Sequence, residues 1–434
     1  MNNRRNTRPN KKRKNKKKLI IVNKSLFLVW LIIILILISL FFTFLFINKF
    51  KNKENSLNDI STEITSSNTE KENFASSNIT EKTTKDITIN LAFTGDIMCH
   101  NTMFKDAYNS NEKNYDFSYF FDDIKYYLQT PDLTVGNLET TFAGEKIGYS
   151  GYPTFNTPES LAKTLKNTGF DVVSTANNHC LDKGYNGISS TISYLDEADI
   201  SHTGTFTSEE SKSNILVKNV KGIKIAFLSF TYGTNGIAIP SGKEYCVNLY
   251  SKENILSQLD LAKKTGSDLI CVSMHWGIEY QTKPNKEQKD LAEFLIKNGA
   301  DLIIGNHPHV PQSMELKTVN LDDGSSKEAF VIYSLGNFMA DQNKSYTRDS
   351  AILNLKYTKH ADDSKTTFNS ATYTPIYVYK NKSLSSKKFK ILDINSSIQK
   401  YEEGTDKTIG QSMYNTLCSE LENIKKIIGN EITK

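Results

Sequence analysis

Hydrophobic and polar positions change rhythm twice along this 434-residue chain. Leu26 to Ile47 is an apolar run of 22 residues (LFLVWLIIILILISLFFTFLFI). As a helix it is about 33 Å long, enough for a hydrocarbon core about 30 Å thick. Residues 48–86 then turn to Ser, Thr, Asn, Glu and Lys with few large apolar positions, which predicts a flexible linker. From Ile87 onward short apolar runs alternate with helically spaced ones. Strands are predicted at Ile87–Phe93, Leu133–Val135, Phe170–Thr175, Ile223–Phe230, Leu269–Met274, Leu302–Ile304 and Phe330–Tyr333. Between them the spacing predicts helices at Phe117–Gln129, at Pro158–Asn167 with Thr157 as N-cap, near Lys252–Lys264 and at Lys286–Lys297. Gly169, Gly266 and Gly299 stop three of these helices, and Lys221-Gly222 marks a hairpin. Nearly continuous apolar strands with helices between them predict an α/β fold whose sheets are covered on both faces. Strands at Ala351–Tyr357 and Thr372–Tyr379 and a helix over Gly410–Ile428 make 346–434 the completion of a domain running from 87 to 345.

Charge sharpens the reading of the N-terminus. Residues 4–24 hold eleven Lys or Arg and no acid, so residues 1–25 read as a cytoplasmic basic tail and 26–47 as a single transmembrane helix with the rest of the chain outside. A nucleic-acid-binding tail is the alternative, but the adjacent span already accounts for the charge. All 48 acids lie after residue 53, against 39 of the 53 bases, so the outer portion has a net charge of −9. Bulk charge therefore gives no reason to expect nucleic acid or any other polyanion as a partner. Five cysteines without CxxC spacing do not form a disulfide framework. Phosphate-loop, HExxH and GxSxG motifs are absent from the sequence, which removes the nucleotide-loop, zincin and serine-hydrolase classes.

Candidate chemistry gathers at the strand ends. Ligands of α/β folds bind at the carboxyl ends of strands, and six predicted strands end there in Asp, Glu, Asn or His. Four of the seven histidines (His179, His275, His307, His309) lie at those ends. Singly, each piece has a plain structural explanation: a turn at Gly95-Asp96, an Asx turn at Asn177-Asn178, a satisfied core histidine at His275. Together Asp96, Glu139, Asn178, His275, His307 and His309 make a ligand set suited to Mn²⁺, Fe²⁺ or Zn²⁺. On an extended segment His307 and His309 would point the same way, with Pro308 stiffening the chain between them. His179, next to Asn178, is better placed to donate a proton to a leaving group, with Asp182 fixing its tautomer; a plain turn at Asp182-Lys183-Gly184 is the competing reading.

Thr94-Gly95-Asp96, Asn137-Leu138-Glu139, Ala176-Asn177-Asn178-His179 with Asp182 and Gly184, His275-Trp276-Gly277 with Glu279-Tyr280, Gly305 with His307-Pro308-His309-Val310, and Ser334-Leu335-Gly336-Asn337-Phe338 occur in that order. As a set they resemble the CapA-type poly-gamma-glutamate capsule biosynthesis proteins, a family similar to the calcineurin-like metallophosphoesterases. The resemblance implies a layered αββα sandwich with one or two divalent ions held by Asp96, Glu139, Asn178, His275, His307 and His309. It implies His179 and Asp182 as catalytic groups, with Asn137, Glu279 and Asn337 facing substrate. It further implies membrane subunits of a polymer-synthesis complex, and the anionic polymer or its precursor, as partners. One departure stands out: Met98 occupies the place of the second ligand in the usual Asp-x-His, with His100 two residues on as a substitute.

Overall fold

The computed structural model describes residues 85–434. The basic tail, the apolar span 26–47 and nearly all of the linker 48–86 lie outside the described residues. Among the described residues, no helix is long and apolar enough to cross a membrane.

Two mixed sheets organise the chain. The strands are β1 (Ile87–Ile97), β2 (Leu133–Leu138), β3 (Val172–Ser174), β4 (Ser201–Thr203), β5 (Leu216–Val220), β6 (Ile223–Thr231), β7 (Leu269–His275), β8 (Leu302–Asn306), β9 (Met314–Asn320), β10 (Ser326–Ile332), β11 (Asn337–Met339), β12 (Asp349–Lys359), β13 (Thr366–Lys380) and β14 (Phe389–Asp393). The first sheet runs β14-β13-β12-β1-β2-β3-β4, with β11 beside the end of β1 and Ile432–Thr433 on β13; the second runs β9-β10-β8-β7-β6-β5. β1, β2, β3 and β4 are mutually parallel, as are β6, β7, β8 and β10, whereas β12, β13 and β14 extend the first sheet in antiparallel fashion. The hairpin at Lys221-Gly222 is present, with φ positive at both residues.

Period-two alternation explains the layers. Ile89, Leu91 and Phe93 of β1 and Ile225 and Phe227 of β6 share one buried core with Cys271, Leu302, Ile304 and Phe330, so the sheets pack face to face. The intervening Ala226, Leu228 and Phe230 turn the other way, onto Ile255 and Leu259 of one helix (Lys252–Lys264) and Ala292, Leu295 and Ile296 of another (Lys286–Lys297). The outer face of the first sheet is covered by Leu161 and Leu165 of the helix Ser160–Thr168 and by a cluster around Phe117, Phe120 and Phe121. Asn285 caps Lys286–Lys297 through a reciprocal bond with Gln288, an arrangement worth about 1 kcal/mol. Past β14, the helices Ile394–Glu402 and Gln411–Ile428 put Ile394, Leu417, Ile424 and Ile428 against the inner face of the antiparallel extension.

Two predicted helices differ from the structure. Phe117–Gln129 is not one helix but a single turn at Ser118–Phe120 followed by Lys125–Gln129. Phe117, Phe120, Phe121, Ile124 and Leu128 are all buried, more than one helix stripe can bury, and Asp116 starts the turn by accepting the Ser118 N–H. The next helix begins at Ser160, later than Thr157 would set it. The Thr157 hydroxyl is bonded to that of Thr140 at 2.7 Å, and its N–H to the Thr141 carbonyl, so it is unavailable as a cap.

Candidate metal centre

The carboxyl ends of β1, β2 and β3 in the first sheet meet those of β7 and β8 in the second, and every candidate ligand, catalytic and substrate-facing residue named from the sequence is buried except Glu279. Backbone crowding makes the junction tight. A Cβ at Gly95 would stand 1.9 Å from the Gly336 carbonyl oxygen, and one at Gly305 1.9 Å from that of Tyr333. These motif glycines are there because a neighbouring backbone fills the space a side chain would need.

Asp96 ends β1 and is fully buried. Its Oδ1 accepts the Asn137 amide at 2.8 Å. Its Oδ2 lies 3.1 Å from His309 Nδ1 and accepts the His307 backbone N–H at 3.3 Å. Asn137 is itself held by the Ser174 hydroxyl, 2.8 Å from its Oδ1, and its amide also approaches His275 Nδ1 at 3.4 Å. Its polar atoms are therefore spent on orienting two candidate ligands, not on an open substrate face. His275 Nε2 lies 2.8 Å from Asn178 Oδ1 and 3.5 Å from Glu139 Oε1. Glu139 Oε1 is also 3.9 Å from His309 Nε2.

Two ligand groups result: Asp96, Glu139 and His309, and Glu139, His275 and His307. Within each, the donor atoms lie within 4.8 Å of one another. Glu139 belongs to both. It is fully buried, yet neither carboxyl oxygen has a hydrogen-bond partner, and His307 Nδ1 is likewise unpartnered. Leaving such groups buried and unpaired costs several kcal/mol, on the order of 1–3 for each neutral polar group and more for a carboxylate. A divalent cation between them removes that cost, and the oxygen and imidazole donors are the right chemistry for one.

Electrostatics distinguishes the two groups. Burial opposes ionisation of Asp96, but the hydrogen bond and charge of His309 prevail and hold its carboxyl below the usual range. Burial likewise disfavours the His309 cation, yet Glu139 and Asp96 together raise it to about 9. Glu139 is pushed up to about 8 by burial and by Asp96. On the other side burial pushes His275 down to about 3, and burial with His275 as neighbour pushes His307 well below the ordinary imidazole value.

The paired histidines do not share one direction. His307 has φ 97° and His309 φ 60°, a left-handed conformation that costs about 1–3 kcal/mol in a non-glycine residue. The segment is not extended, so the two rings serve different ligand groups, with centroids 5.8 Å apart. Asn178 to Gly184 forms a turn, and within it His179 and Asp182 are paired. Asn177 pins the loop by donating to the Leu138 carbonyl and accepting the His179 N–H, and His179 Nδ1 lies 2.8 Å from Asp182 Oδ2. Phe155 holds the pair from outside, its N–H on Asp182 Oδ2 and its ring edge-on to His179 at 4.7 Å.

Other motif residues have other surroundings. Asn337, level with Asp96 in the sheet, turns its amide away to Gln342 and the Thr347 carbonyl and so anchors the loop 341–347. Glu279 is exposed. Met98 packs with Phe155 and Ala340, a hydrophobic plug rather than a ligand. His100 joins neither ligand group: its Nδ1 accepts the Asp341 N–H, and burial pushes it down to about 4. Two contributors carry no motif. Tyr232 lays its ring 4.7 Å from that of His307 and parallel to that of His275, and Asn235 accepts the Asn178 amide at 3.1 Å. The only sequence sign of this loop is the turn pair Asn235-Gly236.

Residues 90–342 match the family model described as bacterial capsule synthesis protein PGA_cap. The "Capsule biosynthesis protein CapA" of Bacillus anthracis is 34% identical over 246 residues, which are 55% of this chain and 58% of that protein. The chain thus spans rather more than half the length of that relative. The "PGA biosynthesis protein CapA" of Bacillus subtilis (strain 168) is 29% identical over 282 residues, 64% of this chain and 70% of that protein. Among solved structures, a novel phosphatase from Mycoplasma pneumoniae aligns with a TM-score of 0.40 and 13% identity, covering 67% of this chain and 94% of the other.

Proposed function

The chain belongs to the bacterial capsule synthesis protein family PGA_cap, and from that premise we propose that it is a membrane-anchored, extracytoplasmic component of poly-gamma-glutamate capsule synthesis or export with a metal-dependent hydrolase site. The observation that carries the site is Glu139, a buried carboxylate with two unpartnered oxygens shared by two groups of imidazole and carboxylate donors. The fold is read as an αββα sandwich of the metallophosphoesterase type, and the span 26–47 as the anchor that holds it beside the other membrane subunits.

Asp96, Glu139 and His309 would hold one divalent ion, and Glu139, His275 and His307, with Asn178, a second. When bound, such ions supply a water acidified toward neutral pH and polarise the bond to be hydrolysed. The chain's own groups do the rest. Asn137 and Ser174 set the angle of Asp96. Asp182 accepts a hydrogen bond from His179 Nδ1–H and so turns Nε2 outward; the ring protonated at both nitrogens would give its Nε2 proton to the leaving group and be left neutral. Tyr232 covers the imidazoles of the second group and keeps bulk water off them.

The test is elemental analysis of the full chain, followed by hydrolysis assays on phosphodiester and γ-glutamyl substrates with His309→Ala as control. Metal bound in the wild type and lost with activity in the variant is the expected result. Met98, packed where a ligand would stand, favours a second reading: a non-catalytic export or assembly subunit. A protein that holds metal, hydrolyses neither substrate and is still required for polymer output would establish that reading.

A further inference from the structure

The connection from β13 to β14 reads KNKSLSSKKFK over residues 380–390, with five lysines and no acid. This stands out in an outer portion whose net charge is −9. Its lysines frame a surface groove of about 470 Å³ lined by Lys105, Lys380 and Lys388 with Thr102, Ser385 and Ser386. Among the described residues, Lys105, Lys382 and Lys388 form no ion pair. The acid in the wall, Asp106, is spent internally: its Oδ2 accepts the Tyr119 hydroxyl and the backbone N–H groups of Lys388 and Phe389. That clamp holds the strand against the rest of the first sheet, so the lysines are displayed on an ordered frame.

The groove also leads toward the metal centre. Its lining residues Thr102 and Lys380 both donate to Asp341 Oδ2 at 2.5 Å, and Arg348 donates to Oδ1 at 2.9 Å. The Asp341 N–H donates to His100, whose ring stands edge-on to Phe155, and Phe155 stands edge-on to His179. Three residues in series, Asp341, His100 and Phe155, thus link the groove wall to the proposed proton donor.

We propose that this groove is a binding site for a linear polycarboxylate, engaged by Lys105 and Lys388 in its wall and by Lys382 on the adjoining turn, so that the chain's course runs past the metal centre. The cations come from two elements, the helix Asn101–Ala107 and the hairpin, instead of converging on one point, which suits repeated charges on a flexible polymer better than a single small anion. The exposed large apolar side chains here are Leu384 at the tip and Tyr108 in the groove wall, too little to seat the hairpin in a bilayer. The proposal rests on the capsule-polymer reading for its ligand, but not on hydrolysis at the metal centre.

The experiment measures binding of a fluorescent γ-linked glutamate oligomer to the full chain in detergent micelles, across a range of salt. Lys105→Ala/Lys382→Ala/Lys388→Ala should weaken binding roughly 5- to 150-fold, from three exposed cations at about 0.3 to 1 kcal/mol each. It should also flatten the salt dependence, with melting temperature and metal content unchanged. Arg at the same three positions should retain binding. Lys252→Ala/Lys264→Ala/Lys289→Ala, on the outer face of the second sheet, removes equal charge and should have no effect. Equal weakening by both triple variants, or none by the first, overturns the proposal. So does a first variant that keeps the oligomer but loses phosphatidylglycerol vesicles, since the hairpin would then face the membrane. If the wild type binds the oligomer through these lysines but cleaves nothing, the groove stands and the hydrolase reading falls.

Discussion

Between residues 90 and 342 the polar side chains of the candidate site are buried at strand ends and aimed at one another; between 346 and 434 the lysines lie at or near the surface and most of the buried residues are apolar. Asp96, Asn137, Glu139, His275 and His309 are each at most 3% exposed, and each touches at least one of the others. Lys382 and Lys387 sit on a turn where only overall placement counts. The contrast sets a proposed reaction centre that depends on geometry against a proposed polymer site that depends on charge, with different tolerance to change. Substitutions in the first region should move chemistry and metal content; those in the second should move grip and stability.

Glu139→Gln gives the largest effect. It weakens a donor common to both ligand groups, and since losing a mere outer partner costs about 10–100-fold, metal content and hydrolysis should both fall to background in elemental analysis and initial rates. His179→Ala should lower kcat by about 10²–10⁴, the range for a general acid, while metal content stays at the wild-type value. Loss of metal in that variant would place His179 among the ligands. Asn137→Ala removes the brace on Asp96 and a contact to His275 but no candidate ligand, so metal affinity in a chelator competition should drop about 10–100-fold.

The smallest effect belongs to the second region and concerns pH. Asp349, at the start of β12, is buried without a hydrogen-bond partner for either oxygen, and burial together with Glu420 of the last long helix pushes it up to about 8. An unfolded Asp titrates near 4, about 3.9, so the folded protein holds this proton more tightly. The stability it contributes is complete below about pH 4 and is lost as pH rises through about 8. Asp349→Asn should therefore melt above the wild type at about pH 9, with the gap closing toward about pH 5 by calorimetry. A change in metal content in this variant would break the contrast between the two regions.

Much of the reaction centre was legible because strand ends in an α/β fold have a fixed address. Asp96, Glu139, His275 and the two histidines around Pro308 each follow an apolar run, and the sheets bring those ends together. What could not be read depends on contacts across distant segments. Nothing local to Thr157 announces that Thr140 will take its hydroxyl, and nothing near Phe117 says how many aromatic rings the outer core will accept. The division of labour between His307 and His309 turns on two left-handed φ angles that no residue type signals. Asn337 follows a strand-like run as the ligands do, but its amide points to the other side of its own loop. The groove was hidden for another reason: summing charge over the whole outer portion conceals five lysines confined to one turn.

Asp96 and Glu139 come from the first sheet and His275, His307 and His309 from the second. A cation lodged among them would act as a rivet through the sandwich, adding to the oily contact and to cross-sheet links such as Lys359 with Asp268 and the Thr203 hydroxyl with the Phe227 carbonyl. Because the chain emerges acids first and imidazoles some 130 residues or more later, the rivet can be set only when the last histidines arrive. Chelation should then do more than silence the centre: it should let the slabs slide.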